Sequence, residues 1–351
     1  MRRRDCLMMM SGSVPALLAF RSGPETAALD ALEAGLGPTF SGVVAHGVGD
    51  APPIIRARGW SDAEAGIPAE ADTAYALGSA SKWFATVATL RAVDQERLEL
   101  DAPISRYLPD FRRDVGDRTT VRLLLANRSG IADGISAAAR ETPALRRSDL
   151  TAAEAVTRYA QEEPAFPPDA RFDYSLTNWV ILRALLEARM GEDFVSLMRR
   201  LVFDPLRLRR TGVAERGFDH APNVAAAYAA DDPSHRKMEG VPAFAAASGV
   251  FYSSAPDLVR AARAVFGPSF LSESSRRALI EVRSPEEDYA LGGRVRRIDG
   301  RAWAWETGRI AAYRCHLAHA LDGPRRTLAV LNNTDLDQGA IERAVLAAIR
   351  T

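Results

Sequence analysis

The chain has 351 residues, 47% hydrophobic and 26% charged, enough to bury a sizeable core without disulfide or metal staples and, by length, to form about two domains. Its 45 basic and 45 acidic residues cancel, which removes the electrostatic case for a nucleic-acid or anionic-membrane partner. Two cysteines, Cys6 and Cys315, cannot build a disulfide framework or a thiolate zinc site, and no run of about 18 apolar residues exists to span a membrane.

At the N-terminus, Arg2-Arg3-Arg4-Asp5 precedes a mildly apolar stretch from Cys6 to Phe20, interrupted by Ser11, Gly12, Ser13 and Pro15. A basic start before a short apolar segment is similar to a twin-arginine export signal, although Leu17-Leu18-Ala19 is a poor cleavage site. Residues 1–28 are therefore expected to be a leader, with both an exported, periplasmic protein and a cytoplasmic one left open.

Regular patterning begins at Ser41. Ser41–Val48 and Pro53–Trp60 read as strands of a hairpin turning at Gly49-Asp50-Ala51, and Thr73–Leu77 as a further short strand. Trp83, Phe84, Val87, Leu90 and Val93 then fall on one helical face. Val121–Ala126, Ala152–Gln161 (introduced by Thr151), Asn178–Met190 (closed by Gly191) and Pro256–Val265 read as helices. Ala302–Glu306, Ala311–Ala320 and Arg326–Leu331 read as strands, the last pair joined by the turn Leu321–Arg325, and Gln338–Arg350 as an amphipathic helix. Hairpin-linked strands argue for an antiparallel sheet. The expected fold is α/β (α+β): a sheet domain flanked by helices and built from both chain ends, 29–103 plus 243–351, interrupted by a mostly helical domain, 104–242.

Only two of the 45 basic residues are lysines, Lys82 and Lys237. Lysine can lose its proton where arginine cannot, so a lysine in such a chain is a candidate base. Lys82 closes Ser79-Ala80-Ser81-Lys82, which follows a strand and opens a helix. At that spacing the two side chains lie one turn apart, with Ser79 at the helix N-terminus where N–H groups stabilise negative charge. Burial behind Trp83 and Phe84 would disfavour the ammonium form of Lys82. With 22 serines in 351 residues, a lysine has a serine three places before it about 6% of the time. Ser234–Lys237 also matches, but it follows Asp231-Asp232-Pro233 and reads as a surface turn. Two further segments draw notice: the proline-rich turn from Phe166 into Tyr174, which would present a phenol at a helix start, and Trp305-Glu306-Thr307-Gly308-Arg309, where Gly308 would admit a close approach to the backbone.

Together these segments resemble the serine β-lactamase and penicillin-binding-protein superfamily, in particular its class C-like and esterase-like members. Leu77–Lys82 looks like the nucleophile segment, and Leu98–Pro103 with Tyr107-Leu108-Pro109 like the stretch that follows it. Val121–Gly130 is similar to a helix ending in Leu-Leu-x-x-x-Ser-Gly, and Phe203–Leu206, Ser248-Gly249 and Leu331-Asn332-Asn333 fall in matching order. The resemblance implies Ser79 as acyl-accepting nucleophile, Lys82 as its base, Tyr174 as proton relay, and the backbone N–H groups of Ser79 and Arg309 as oxyanion hole. It also implies that no metal or cofactor takes part. Leu176, Glu306, Thr307 and Gly308 would line the substrate, a small-molecule or short-peptide acyl compound.

Two positions depart from the family pattern. Leu176 stands where Tyr-x-Asn has its amide, which weakens amide and β-lactam recognition, and Glu306 stands where lysine or histidine precedes Thr-Gly. A carboxylate at 306 is expected to repel a substrate carboxylate, to disfavour phenolate at Tyr174 and to favour a substrate without the usual carboxylate, or with a positive charge. An esterase or acyltransferase is therefore expected ahead of a D-amino-acid peptidase or a true β-lactamase. A catalytically impaired protein acting as a binding or regulatory module is the alternative of a different class. The chain contains no Gly-x-Ser-x-Gly, which excludes the α/β-hydrolase elbow, and the cluster Cys315, His316, His319 puts its histidines on opposite strand faces. Gly292-Gly293 reads as a turn, and the oligomeric state stays open.

Overall fold

A computed structural model describes residues 23–232, 235–237 and 241–351. Residues 1–22 of the expected leader lie outside the described residues, and helix α1 (Pro24–Leu36) begins near that leader's expected end. Strands β1 (Gly42–Val48) and β2 (Ile54–Arg58) form the expected hairpin, followed by a ribbon of β3 (Trp60–Asp62) and β4 (Ile67–Pro68), then β5 (Ala74–Ala76). Helix α2 (Ser81–Asp94) leads into α3 (Arg113–Gly116), α4 (Val121–Leu125), α5 (Gly134–Glu141), α6 (Ala152–Tyr159), α7 (Leu176–Met190) and α8 (Phe194–Met198). After β6 (Gly212–Val213), α9 (Ala246–Gly249), β7 (Phe251–Ser254), α10 (Ala255–Val265) and α11 (Glu273–Ile280), the chain closes with four strands and a helix. These are β8 (Arg294–Ile298), β9 (Arg301–Ile310), β10 (Tyr313–Ala320), β11 (Arg326–Asn332) and α12 (Gln338–Arg350).

Both chain ends build one six-stranded antiparallel sheet in the order β2-β1-β11-β10-β9-β8. The seam is β1 on β11, with Val43 opposite Leu331, Val44 opposite Val330 and Ala45 opposite Ala329. Alternation sends Val44 and Val330 to one face, where α1 and α12 cover them together with Trp303 and Trp305, while Val43, Ala45, Ala329 and Leu331 join the core around α2. Every residue of β10 is buried, as a central strand covered on both faces requires. Among the described residues, no helix is long and apolar enough to cross a membrane.

Local signals set most boundaries. Thr151 and Glu154 form a capping box on α6, Ser254 caps α10 ahead of its proline, and Gly191 ends α7 in the left-handed region at φ 71°. Helix α7 starts at Leu176, two residues before its expected beginning. The cap comes from another segment: Asp133 accepts from the backbone N–H groups of Leu176 and Thr177 at 3.3 and 3.0 Å.

Helix α2 departs most from expectation. It is not amphipathic: Ser81 through Leu90 are all buried, because α9 and α11 pack against a helix that already lies on the core. Its polar residues are satisfied internally, Thr86 Oγ1 donating to the Lys82 carbonyl at 3.0 Å and Thr89 Oγ1 to that of Ala85 at 2.8 Å.

Candidate active site

The site is assembled where the start of α2 meets β9. Strand β5 pairs with β7, and the N–H of Leu77 donates to the Phe251 carbonyl at 2.8 Å. The chain then turns at Gly78, φ +52°, into a 3-10 turn (Gly78–Ala80) that carries Ser79, and α2 follows. On the other side β8 pairs with β9 only as far as Arg294 opposite Trp305. Beyond it, Glu306–Arg309 keep β10 as one neighbour and take the serine turn as the other.

Two bare α-carbons allow that contact. A Cβ on Gly308 would lie 1.7 Å from the Leu77 carbonyl oxygen, and one on Gly78 would lie 2.6 Å from the Arg309 nitrogen. Neither distance is compatible with a side chain, so Gly308→Ala must push the serine turn off β9. The expected result is a stability loss of about 1–3 kcal/mol and a fall of about 100-fold in acylation rate. Denaturant melts and single-turnover rates of the variant check it; an unchanged rate would show that the two segments need not touch.

Lys82 is buried, and its Nζ donates to the Ser248 carbonyl at 2.7 Å and to Ser79 Oγ at 3.4 Å. The rings that enclose Nζ are those of Tyr174, 4.9 Å to its centroid, and Trp179, 5.7 Å. Trp83 and Phe84, expected in that role, belong to the core, with Trp83 stacked on Phe266. Ser79 and Lys82 both lie near enough to the Tyr174 phenol to act on it. The Tyr174 residue is 43% exposed, so it forms an open wall of the cleft while its oxygen is directed inward. Burial of that oxygen works to raise the phenol's pKa. The charge of Lys82, the polar groups of Ser79 and Lys82 near the phenol, and the charge of Arg294 outweigh it, and the phenol titrates below its ordinary 10.0. The expectation that residue 306 would disfavour phenolate is overruled by these cations.

Tyr174 is held from behind. Gly130, Arg128 and Asn127 offer carbonyls to the N–H groups of Ala165, Asp169 and Asp173 at 2.9, 2.8 and 2.8 Å, strapping the proline-rich loop to the end of α4. Asn127 Nδ2 donates to the Tyr289 hydroxyl at 3.0 Å, and Asn127 Oδ1 accepts from Asn178 Nδ2 at 3.1 Å and from the Ser175 N–H at 3.4 Å. Tyr289, fully buried, stands edge-on to Tyr174 at 6.3 Å between centroids. Burial raises its phenol well above 10.0. Asn127, Tyr289, Arg294 and the Ser248 carbonyl went unassigned in the sequence, which holds no local signal for partners as much as 166 positions apart.

Leu176 is half-buried against the core. Asn127 and Asn178 do not replace the amide it lacks, since they are engaged with each other and Ser129 Oγ donates to Asn178 Oδ1 at 2.6 Å. Thr307 pairs with His316, and alternation puts it on the face of Trp305, whose ring stands edge-on to His316 at 4.3 Å. The structure does not bring Thr307 to the Glu306 face. Glu306 is 5% exposed, and burial pushes its carboxyl up to about 8 against the opposing charge of Arg294. It is therefore mainly a neutral acid at pH 7, which corrects the expectation of a standing carboxylate. Gly292-Gly293 is more than a turn: a Cβ on Gly293 would lie 2.0 Å from Glu306 Oε1, and one on Gly292 2.0 Å from Thr86 Oγ1. The second Ser-x-x-Lys match is excluded as an equivalent, since Lys237 Nζ is paired with Asp335; Ser234 lies outside the described residues.

Comparison with known proteins shows what the chain as a whole is similar to. The esterase EstB of Burkholderia gladioli is 33% identical over a stretch covering 45% of this chain and 43% of that one. The chain spans less than half the length of the curated relatives it matches. The penicillin-binding protein of Bacillus halodurans superposes with a TM-score of 0.78 at 20% identity, covering 91% of this chain and 98% of that one. The D-amino acid amidase of Ochrobactrum anthropi SV3 gives 0.76 at 21% identity, covering 92% and 98%. At such identities these structures establish the fold. The family model described as Beta-lactamase runs over residues 29–348, from within α1 to within α12, and this chain belongs to the beta-lactamase family.

Proposed function

We propose that the protein is a serine hydrolase that works through an acyl-enzyme on Ser79, acting on small acyl esters with water or an alcohol as acceptor. The observation that carries the reading is the clustering of the three groups: Lys82 Nζ lies 3.4 Å from Ser79 Oγ and 4.9 Å from the centroid of the Tyr174 ring. In its neutral amine form Lys82 takes the proton of Ser79 as Oγ bonds to the acyl carbon, and the carbonyl oxygen becomes an oxyanion facing the N–H groups of Ser79 and Arg309. Collapse breaks the bond to the leaving alkoxide, which receives the proton through Tyr174. The acceptor then repeats the sequence in reverse, freeing Ser79. A phenol that titrates below its ordinary value moves that proton more readily than a normal tyrosine.

Esters are favoured over amides because Leu176 offers no amide to an amide substrate, and Asn127 and Asn178 are already engaged. The impaired-module reading rested on Leu176 and Glu306; the clustering of Ser79, Lys82 and Tyr174 speaks against it. Hydrolysis of a p-nitrophenyl ester and of the matching anilide is the test. The ester is expected to react with a kcat/KM about 100-fold higher, with both activities lost in Ser79→Ala. Equal rates on the two, or turnover surviving in Ser79→Ala, would overturn the reading.

A further inference from the structure

Glu306 is an acidic group beside the serine turn for which no hydrogen-bond or ion-pair partner is found among the described residues. It lies on the open edge of β9, two residues before Gly308, with its carboxyl under the bare α-carbon of Gly293. Burial and the charge of Arg294 are what act on it, and among the described residues no hydrogen bond to it is found. A buried carboxyl without a protein partner is costly, and its position beside the serine turn makes the substrate the partner it lacks.

The groups around it come from every neighbouring element. Arg294 on β8 faces it, Tyr289 precedes that strand, and Cys315 on β10 lies opposite Gly308. Tyr174, ahead of α7, is edge-on to Tyr289, with Lys82 of α2 behind it, and Arg309 follows on β9 itself. Arg294 is also drawn toward Glu287, 3.4 Å from its guanidinium, so it does not neutralise Glu306 fully.

We propose that Glu306 is the specificity-determining residue of this site, admitting acyl substrates that are uncharged where they lie along β9 and, once ionised, turning away those that carry a carboxylate there. The inference rests on the acyl-enzyme reading of Ser79. While protonated, Glu306 donates a hydrogen bond to a carbonyl or hydroxyl of the substrate, and even an anionic group is tolerated. Once ionised it faces a substrate anion across a short, poorly solvated gap, where repulsion between like charges is strong. Discrimination against anions therefore grows as pH rises through the neutral to mildly alkaline range.

The test uses two fluorophosphonates, one with an uncharged alkyl chain and one ending in a carboxylate, with labelling of Ser79 followed by intact mass. Each forms a Ser79 Oγ–phosphorus bond and releases fluoride, so no natural substrate is needed. Between about pH 6 and about pH 9.5 the probe carboxylate stays charged, and the ratio of neutral to anionic labelling rate is expected to rise about tenfold. In Glu306→Gln the ratio stays flat. In Arg294→Gln the rise moves to higher pH, because removing the cation makes Glu306 harder to ionise, a shift that a merely structural role would not produce. Labelling of Ser79 with a flat ratio in the wild type, or an unchanged rise in Glu306→Gln, overturns this inference and leaves the acyl-enzyme reading standing. Failure of both probes to label Ser79 overturns the two together.

Discussion

Lys82→Arg is expected to lower the acylation rate about 1,000-fold while leaving the protein folded. Arginine keeps the positive charge but does not release its proton in this pH range, so the positioned base is lost, and a general base contributes on the order of 100- to 10,000-fold. The site also has little room for the larger head group. Nζ is wedged between the Ser248 carbonyl at 2.7 Å and the Tyr174 and Trp179 rings, and a planar fork cannot satisfy that carbonyl and Ser79 in the same place. Burst kinetics on an activated ester measure the acylation step directly, with a thermal melt as the check on folding. A folded Lys82→Arg variant with near-normal acylation would mean that Tyr174, whose phenol already titrates low, removes the serine proton itself.

The second large effect is on stability rather than rate. The Glu306 carboxyl titrates at about 8 in the folded protein against an ordinary 4.5. The folded state therefore holds a proton that the unfolded chain releases, and stability falls as pH rises from about 4.5 to about 8. Below that window Glu306 is neutral in both states and this term vanishes. Above it the buried carboxylate costs on the order of 5 kcal/mol. Glu306→Gln cannot ionise, so the variant is expected to match the wild type near pH 4.5 and to exceed its unfolding free energy by about that amount near pH 9.5. Urea melts at the two pH values decide it, and a difference that does not change with pH would show that Glu306 is not buried as an acid.

How far the sequence could be read follows from which interactions are local. The Ser79-to-Lys82 spacing, the helix introduced by Thr151 and the β1–β2 hairpin each depend on residues close in sequence, and each is where the pattern placed it. The pairing of β1 with β11 was legible at one remove, because matching apolar runs at the two chain ends leave an antiparallel sheet as their natural partner. Helix α2 was misread because Thr86 and Thr89 look like a polar face; their hydroxyls return to carbonyls four residues earlier, so they can be buried. The strand expected to end at Glu306 runs on to Ile310, since Gly308 serves as a point of contact with the serine turn rather than a break.

Site residues that act through distant partners were beyond such reading. Nothing near Asn127 announces that its amide bridges Tyr289 and Asn178, and nothing near Gly293 announces that it makes space for Glu306. The charge of Glu306 is the sharpest case. Its identity was plain, but its protonation state depends on burial created by β8, β10 and the loop ahead of β8, which only the folded arrangement supplies.

The central claim is that Ser79 is an activated nucleophile, and intact mass after exposure to an uncharged fluorophosphonate tests it most directly. A single phosphonyl adduct on the wild type, absent from folded Ser79→Ala, is the predicted result. A folded wild-type protein that takes no adduct, or an adduct that persists in Ser79→Ala, would contradict it.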